Sequence, residues 1–410
     1  MDKIRSALVG CGGMGTRHLY GLAELYKTPF NNVELAAVCD IRRDNAELAA
    51  DEAEKLLGQR PEVFTDLEEM KNQVADLHAV DVVVDPCVHH TVVCQALDLG
   101  LHVMVEKPMA ITVKGCHLMM AAARRNDRLL SIAENFRRDP SARLVNHLLQ
   151  QDSIGRPYMA TFHSLAPHHE VFITPWRHMK ERGGLLLDLG VHFTDMIRYQ
   201  LGDIKEVYGQ VELATPQRRK PETVNSPYKF YQARHAEMES EIRASAEDTS
   251  VGTFRMESGT MVSWVVGLGG HGSCGGEAIF GTAGSIRGFG SRGARVQLKM
   301  ADQEEMQQEE ILASSTGFAL EPLAAHFFPD GVATQDVDWK LLALEYFELA
   351  EAILSGRKIE VDGIEGMKDV AAIYALFESS RLGRTVQMSE VENCEVYEYQ
   401  AEIDAALGLA

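Results

Sequence analysis

The amino-acid sequence has few of the features expected of a secreted, membrane-spanning or nucleic-acid-binding protein. Its seven cysteines are odd in number and irregularly spaced, and C-x-x-C does not occur. This argues against a disulfide framework or zinc cluster and favours a reducing, cytoplasmic compartment. No apolar run approaches the ~20 residues of a membrane span, and the N-terminus shows no signal-peptide pattern. The net charge of −20 predicts binding to neither nucleic acid nor an anionic membrane surface.

A glycine-rich motif near the N-terminus is the first positive signal. Residues 4–9 predict a buried strand, residues 14–25 predict a helix, and G-x-G-x-x-G lies between them. In this context the first glycine allows a tight turn, the second lets a pyrophosphate approach the backbone, and the third lets helix and strand pack closely. Free N–H groups at the helix N-terminus would bind the phosphates. The motif consists of Gly10, Cys11, Gly12, Gly13, Met14 and Gly15.

Asp40 follows the second predicted strand, residues 33–39. An acid at this position accepts hydrogen bonds from the ribose hydroxyls and repels a 2′-phosphate, which favours NAD over NADP. Arg42 and Arg43 follow closely and could pair with a phosphate, so NADP stays open. Asp40 could also cap the next helix, and the two uses are compatible.

Strands and helices continue to alternate as far as residue 135. Residues 82–84 predict a fully apolar interior strand that stops at Asp85-Pro86, and residues 102–105 predict a strand that stops at Glu106-Lys107-Pro108. Ligands of an open α/β sheet bind at these carboxyl ends. A lysine delivered there is suited to chemistry, although a lone loop lysine is more often an exposed surface residue. The alternation predicts a Rossmann domain.

Read together with three later motifs, these features resemble the Gfo/Idh/MocA family of sugar and cyclitol dehydrogenases. Residues 135–140 (N-F-R-R-D-P) resemble the segment that leads into the family's second domain. Residues 183–192 (G-G-L-L-L-D-L-G-V-H) resemble its second catalytic signature, and 279–285 (I-F-G-T-A-G-S) its late hairpin. The resemblance covers nearly the whole chain. The chain departs from the family at two places. The strand end at Asp85 differs from the family's usual Ala-Thr-Pro, and about residues 214–247 form a long charged insertion.

The resemblance implies an α/β fold with NAD as cofactor. It implies an N-terminal Rossmann domain over 1–135, an α+β domain with an open mixed β-sheet over 136–385, and a C-terminal extension over 386–410. It also implies a homodimer or homotetramer formed through the C-terminal sheet. The implied cofactor-binding residues are the glycine motif with Asp40, Ile41, Arg42, Asp85, Pro86, His89, Glu106 and Lys107.

Sequence periodicity predicts the elements of the second half. Strands are expected over 159–163, 204–211, 250–257, 260–266, 277–280 and 295–298, and helices over 341–354 and 370–382. The acidic run 302–310 has no apolar stripe and predicts a solvated loop or edge.

Hydride transfer from a secondary alcohol needs a base for the hydroxyl proton and a group that steadies the oxyanion. Lys107 could supply the cation and His192 could take the proton. Asp188 lies four residues before His192, on one helix face with it, and could orient the imidazole. Spacing alone leaves open a structural Asp–His pair, or a metal held by Asp188, His192 and Asp195. The resemblance carries Lys107, Asp188 and His192 over as the family's catalytic residues.

Basic residues concentrate between residues 137 and 182. They predict either a solvated loop that balances an acidic chain or a pocket for a hydroxyl-rich or anionic sugar. Trp176 could be a platform for a sugar ring, or a core residue. The candidate substrate-binding residues are Arg137, His168, His169, Trp176, Arg177, Asp188 and His192.

Three functions compete on this evidence. The first is an NAD-dependent dehydrogenase that converts a sugar or inositol hydroxyl to a ketone. The second is a glycoside hydrolase that oxidises C3 transiently, eliminates the aglycone, adds water and returns the hydride. That reaction needs an extra base, for which Asp85, His168, His169 and His178 are candidates. The third, a non-catalytic NAD-binding regulator, is disfavoured because Lys107, Asp188 and His192 are all present.

Overall fold

A computed structural model describes residues 2–167, 169–223, 229–269, 272–334 and 336–409. The chain forms two compact units. The first contains residues 1–135, 224–237 and 338–367, and the second contains 136–223, 238–337 and 368–410. The domain boundaries expected from sequence stay predictions, and the contact units differ from them because 224–237 and 338–367 group with the N-terminal residues.

The N-terminal part of the first unit alternates strands and helices, as the sequence predicts. Its elements are β1 (Ile4–Val9), α1 (Gly13–Tyr26), β2 (Val33–Cys39), α2 (Arg43–Leu57), β3 (Glu62–Phe64), α3 (Leu67–Gln73), β4 (Leu77–Val82), α4 (His89–Asp98), β5 (His102–Glu106), α5 (Val113–Asn126) and β6 (Leu130–Ala133). Within the described residues the strands form one parallel sheet of six, in the order β3-β2-β1-β4-β5-β6. The strand order reverses between β1 and β4, which is where ligands of such sheets bind.

The expected strand at 82–84 is wrong in its position and in its composition. β4 ends at Val82 and includes Asp81, whose side chain is buried. Beyond it, the Val83 N–H donates to the Val9 carbonyl at 2.7 Å, and the chain turns into a short 3₁₀ helix, Pro86–Val88. The apolar run therefore marks the exit from the strand.

The remaining elements follow in chain order. They are α6 (Pro140–Gln150), β7 (Pro157–Leu165), α7 (Gly184–Leu201), β8 (Ile204–Glu212), β9 (Gln217–Arg219), α8 (Lys229–Glu237), β10 (Glu241–Arg243), β11 (Thr249–Met256), β12 (Met261–Gly267), β13 (Cys274–Gly281), β14 (Gly284–Arg287), β15 (Gln297–Met300), β16 (Met306–Gln307), α9 (Gln308–Ser314), α10 (Pro322–Phe327), α11 (Val337–Ser355), α12 (Gly363–Leu382), β17 (Val386–Gln387), α13 (Met388–Glu392) and α14 (Glu398–Ala406). Short 3₁₀ helices lie at Phe136–Arg138, Pro175–His178 and Lys180–Arg182.

The second unit is built on the open mixed sheet that the family resemblance implies. Among the described residues nine strands pair in the order β16-β15-β14-β13-β7-β12-β11-β8-β17. β7 and β12 are parallel, and their other neighbours are antiparallel. The expected strands and helices are present with shifted ends. The acidic run 302–310, expected to be a solvated loop or edge, contains β16, the edge strand of the sheet, and also the start of α9, which was not expected. Gln307 and Glu310 form a capping box there, which starts a helix without an apolar stripe.

Helix α7 packs closely against both α12 and strand β12 of the second unit's sheet. A Cβ on Gly190 would lie 2.5 Å from Ile373 Cδ1 of α12 and 3.7 Å from the Trp264 ring of β12. A side chain at this position would have to displace the end of the Ile373 side chain, so Gly190 lets the helix that carries Asp188 and His192 pack closely against α12.

Candidate active site

The glycine motif forms a tight turn between β1 and α1. Gly10 has φ +100°, and a Cβ there would lie 2.5 Å from the Val83 carbonyl oxygen. A Cβ on Gly15 would lie 2.1 Å from the Gly10 carbonyl oxygen. Gly12 precedes the first residue of α1 and leaves the helix N-terminus without a side-chain cap. The turn therefore has the geometry in which backbone N–H groups bind a pyrophosphate.

Asp40 joins the glycine turn to the tip of β2. One carboxylate oxygen accepts the Cys11 N–H at 2.8 Å, and the other accepts the Arg42 N–H at 2.8 Å. Arg42 itself occupies the N-cap position of α2, so Asp40 does not cap that helix. Next to Asp40, the Ile41 side chain is 92% exposed, an apolar surface on which an adenine ring could pack.

The surroundings of Asp40 also fit NAD better than NADP. Arg42 pairs with Asp44 at 2.7 Å, and Arg43 pairs with Glu47 at 3.4 Å. Both arginines are thus engaged by carboxylates that would compete with a 2′-phosphate. Cys11, inside the motif, is buried, and burial raises the pKa of its thiol well above the ordinary value, which keeps it neutral.

Asp85 and His89 support the turn at the end of β4. An Asp85 carboxylate oxygen accepts the Cys87 N–H at 3.2 Å and caps the 3₁₀ helix that begins at Pro86. His89 is fully buried, with Nδ1 3.0 Å from the Pro108 carbonyl oxygen and Nε2 3.2 Å from that of Val84. Burial lowers the pKa of His89, while the Pro108 and Val84 carbonyls act in the opposite direction; the buried ring lies between the strand exits of β4 and β5.

A buried chain of polar residues lies behind Glu106, the last residue of β5. His18 of α1 lies between two carboxylates, with Nε2 3.1 Å from Glu106 Oε1 and Nδ1 2.8 Å from Asp81 Oδ2. The Tyr346 hydroxyl also donates to Asp81. Burial lowers the pKa of His18, but Asp81 and Glu106 outweigh it, so the pKa is raised well above 6.5. An imidazolium therefore holds Glu106 in place, directly before Lys107.

Sequence reasoning missed His18, Asp81 and Tyr346. Asp81 carried a signal, since an acid inside a buried parallel strand requires a polar partner. His18 and Tyr346 carried none, because their partners are 63 and 265 residues away in sequence.

In the second unit, Asp188 and His192 lie on α7 with different neighbours. An Asp188 carboxylate oxygen accepts the Arg177 Nε–H at 2.8 Å. The His192 ring stacks on Phe136, with centroids 4.1 Å apart and an interplanar angle of 11°. Both residues are almost fully buried. The stacking restrains the His192 ring, and the ion pair restrains the carboxylate.

Asp195, one turn further along α7, is fully buried and binds the Arg137 guanidinium through both oxygens. Arg137 also lies over the Tyr199 ring, 5.1 Å from its centroid. Asp195 is therefore the acidic half of a buried bidentate ion pair. Within the described ranges, His, Cys, Asp and Glu side chains form no group of three that could hold a metal.

The other basic and histidine candidates have varied surroundings. Arg177 stacks on half-buried Trp176 at 4.3 Å. His169 is exposed, whereas His168 lies outside the described residues. His178 is buried, and its Nε2 accepts the Phe172 N–H at 2.9 Å. Its backbone carbonyl accepts two further N–H groups, so His178 organises the loop before α7.

A cleft of about 180 Å³ lies in the second unit beside the residue that follows His192. Its lining includes Phe162, His163, Phe193, Glu277 and Ser291. A Glu277 carboxylate oxygen accepts the Phe289 N–H at 2.6 Å, which fixes the acid in the wall. The mixture of aromatic and polar side chains suits a hydroxylated ligand.

Comparison with known proteins agrees with this geometry. Residues 4–134 match the family model described as an oxidoreductase family with an NAD-binding Rossmann fold, and residues 142–287 match the Gfo/Idh/MocA C-terminal domain. D-apiose dehydrogenase of Paraburkholderia graminis is 25% identical over 403 residues, covering 96% of this chain and 92% of the relative. Glycosyl hydrolase family 109 protein 1 of Akkermansia muciniphila is 28% identical over 158 residues, which cover 38% of this chain and 32% of the relative.

A solved structure of levoglucosan dehydrogenase in complex with NADH has the same fold. The TM-score is 0.73 with 21% sequence identity, covering 94% of this chain and 99% of that one. In the part of the chain that the structure describes, no helix is long and apolar enough to cross a membrane. The chain belongs to the Gfo/Idh/MocA family of oxidoreductases, and its N-terminal sheet is that family's NAD-binding Rossmann fold.

Proposed function

We propose that this oxidoreductase uses NAD to oxidise a secondary hydroxyl of a sugar, glycoside or cyclitol. The observation that carries the proposal is the carboxyl edge of the first sheet, where the glycine turn, Asp40 and Lys107 follow β1, β2 and β5. A substrate whose reacting oxygen is bound by Lys107 would meet a cofactor held at the same edge. The dehydrogenases of apiose and levoglucosan among its relatives favour a carbohydrate.

Each proposed catalytic residue has one task. Bound NAD supplies the hydride acceptor. Lys107 hydrogen-bonds the substrate oxygen and stabilises the negative charge that develops as the proton leaves. His192 accepts that proton, since a histidine can change charge near neutral pH. Asp188 holds the Arg177 side chain beside α7, and by the family resemblance it shares the catalytic role.

The proposed substrate-binding residues divide into two groups. Trp176 with the stacked Arg177, together with His168 and His169, would contact the sugar ring and hydroxyls. Arg137 is buried, and one edge of its guanidinium, Nε and one terminal nitrogen, donates to the two carboxylate oxygens of Asp195. We therefore assign Arg137 to positioning α7, and this revises its expected role as a direct substrate ligand.

The glycosidase alternative loses part of its support. Among the extra bases proposed for it, Asp85 caps a 3₁₀ helix and His178 accepts a backbone N–H. The likeness to a glycosyl hydrolase covers 32% of that relative. A chromogenic glycoside distinguishes the two reactions: cleavage without net NADH would favour the hydrolase, and NADH formation from free sugars the dehydrogenase.

The assembly and compartment are also proposals. Exposed apolar side chains on the second sheet, such as Val251 and Met261, support a homodimer or homotetramer formed through that face. All seven cysteines, each within the described residues, are free thiols, which supports the cytoplasm as the working compartment.

The experiment that tests the proposal uses Lys107→Ala. The purified protein is given NAD⁺ and a panel of sugars and cyclitols, and NADH is measured by absorbance. The variant is expected to lose at least about 10²–10³-fold in turnover because it lacks the oxyanion donor, while NADH still binds and quenches protein fluorescence. Lys114→Ala, an exposed lysine of α5, serves as the control. Equal turnover in Lys107→Ala and wild type would contradict the assignment.

A further inference from the structure

The charged insertion expected at residues 214–247 forms a hairpin with a helix between its strands. β9 and β10 pair in antiparallel register, Arg219 opposite Glu241. Beyond them the Lys220 N–H donates to the Ser240 carbonyl at 2.9 Å. The segment 221–239 therefore leaves and re-enters the hairpin at one point. Helix α8, within that segment, belongs to the first unit, which also contains the glycine motif.

Helix α8 places two aromatic rings against the glycine motif. A Cβ on Gly12 would lie 3.3 Å from Phe230 Cζ, and a Cβ on Gly13 would lie 2.3 Å from Tyr231 Cζ. Gly13 stands at a position that G-x-G-x-x-G leaves free for any residue. In this chain its lack of a side chain makes room for the Tyr231 ring.

The two rings are held by further contacts. They meet edge to face, with centroids 5.7 Å apart and an interplanar angle of 82°. The Arg234 guanidinium, one turn along α8, lies 5.2 Å from the Phe230 centroid.

Tyr231 is also electrostatically coupled to α1. Burial lowers the pKa of Arg17, but Asp338 outweighs it, and Tyr231 and Glu106 add smaller contributions that leave the pKa raised. The ring of Tyr231 thus lies beside the first turns of α1, next to the groups that bind a pyrophosphate.

We propose that α8 is a clasp over the cofactor, in which Phe230 and Tyr231 cover the dinucleotide at the N-terminus of α1 and slow its release. The proposal rests on the proposed function only in requiring that NAD binds at the glycine motif. Rings at this place exclude water from the N–H groups of the turn, and hydrogen bonds to phosphate are stronger where water is excluded. NAD can leave only after the rings have moved away.

Such a clasp has a consequence for turnover. NAD and NADH stay bound for longer than in an open Rossmann domain, so cofactor exchange becomes slow relative to the binding of a small sugar. The insertion then determines how long the cofactor stays bound, while Lys107 and His192 determine the chemistry.

The test measures NADH release from the full-length protein. Bound NADH is displaced by excess NAD⁺ in a stopped-flow instrument and followed by its fluorescence. Phe230→Ala/Tyr231→Ala is expected to release NADH at least about tenfold faster, a change of about 1.4 kcal/mol in the barrier. Gln232→Ala, an exposed position of the same helix, is expected to match the wild type.

A second variant guards against a folding defect. Replacing residues 221–239 by Asn-Gly closes the hairpin with a two-residue turn between Lys220 and Ser240, and should release NADH as fast as the double alanine variant. Equal NADH release rates in the wild type, the double alanine variant and the Asn-Gly variant would overturn the proposal that α8 is a clasp. Faster NADH association with unchanged release in the variants would also overturn it, because the rings would then occupy the phosphate position. Absence of NADH binding to the wild type would instead contradict NAD as the cofactor.

Discussion

At the scale of single residues, Asp40 shows how one carboxylate serves both the fold and the cofactor. Its two oxygens accept the N–H groups of Cys11 and Arg42, which ties the glycine turn to the tip of β2. A carboxylate oxygen has a second lone pair, so each oxygen can also accept a ribose hydroxyl. The fold therefore presents Asp40 to the ribose in a fixed orientation.

Asp40→Asn should weaken the preference for NAD over NADP. The amide keeps the shape and one oxygen, but loses the negative charge that repels a 2′-phosphate and one acceptor for the ribose. Fluorescence titration with NADH and NADPH measures the two Kd values. The Kd for NADPH divided by the Kd for NADH is expected to fall by about tenfold or more, since a hydrogen bond to a charged group is worth about 1.5–3 kcal/mol. Asp51→Asn, an exposed position of α2, is the control, and an unchanged ratio in Asp40→Asn would refute the role.

The sequence predicts candidate site residues by their type, but it carries little information on their partners. The sequence pointed to Arg137, Arg177 and Asp188 as functional, and the structure shows the partner that each one has. Arg137 binds Asp195, 58 residues away in sequence, and no local spacing carries that information. The family resemblance implies that Asp85 contacts the cofactor, and the structure shows that its carboxylate also caps the next turn.

At the scale of elements, helix α1 connects the cofactor turn to the strand that ends before Lys107. Its N-terminus forms one side of the glycine motif, and His18, one turn beyond Gly15, bonds Asp81 of β4 and Glu106 of β5. A single helix thereby links three strand exits of the sheet. We expect the ionisation state of His18 to influence both the free energy of unfolding and the placement of Lys107.

The pH dependence of this link has a definite sign. The pKa of His18 is raised well above 6.5 in the folded protein, so the folded state binds the proton more tightly than the unfolded state. The stabilisation is fully present below pH 6.5 and is lost as the pH rises through the folded-state pKa. Replacing the imidazolium removes the buried cation that lies between two buried carboxylates, so His18→Gln is expected to cost about 3–5 kcal/mol at neutral pH.

Denaturant unfolding of wild type and His18→Gln across neutral and alkaline pH checks this prediction. The difference in unfolding free energy should shrink as the pH rises. His78→Gln, an exposed histidine of the same unit, should show no such trend. A difference that grows with pH would mean that His18 is neutral in the folded protein.

Regular elements were predictable because their periods are local. Strand–helix alternation over the first 135 residues and the period-two strands of the second sheet follow from apolar patterns of a few residues. Helix α9 was missed because a capping box, not an apolar stripe, starts it. Helix α8 was missed because its packing depends on two glycines more than 200 residues earlier, which no periodicity reports.

At the scale of the whole molecule, the second sheet has one face covered within its own unit and one face with exposed apolar side chains. Trp264 and Phe254 point to the covered face and are buried. Tyr208, Val251 and Met261 belong to neighbouring strands and are 47%, 55% and 50% exposed. Side chains of this kind on adjacent strands are typical of an interface between subunits.

Val251→Lys/Met261→Lys should therefore dissociate the proposed oligomer. In a two-fold symmetric interface each substitution occurs twice, so four positive charges would meet across the sheets or lose their water. Like charges brought together in an interface cost several kcal/mol, so the dissociation constant should rise by at least about 100-fold. Sedimentation velocity over a range of concentrations measures this directly. Leu118→Lys, at an exposed leucine of α5, should keep the wild-type assembly. A wild type that is monomeric, or a double variant that assembles normally, would place the subunit interface elsewhere or exclude it.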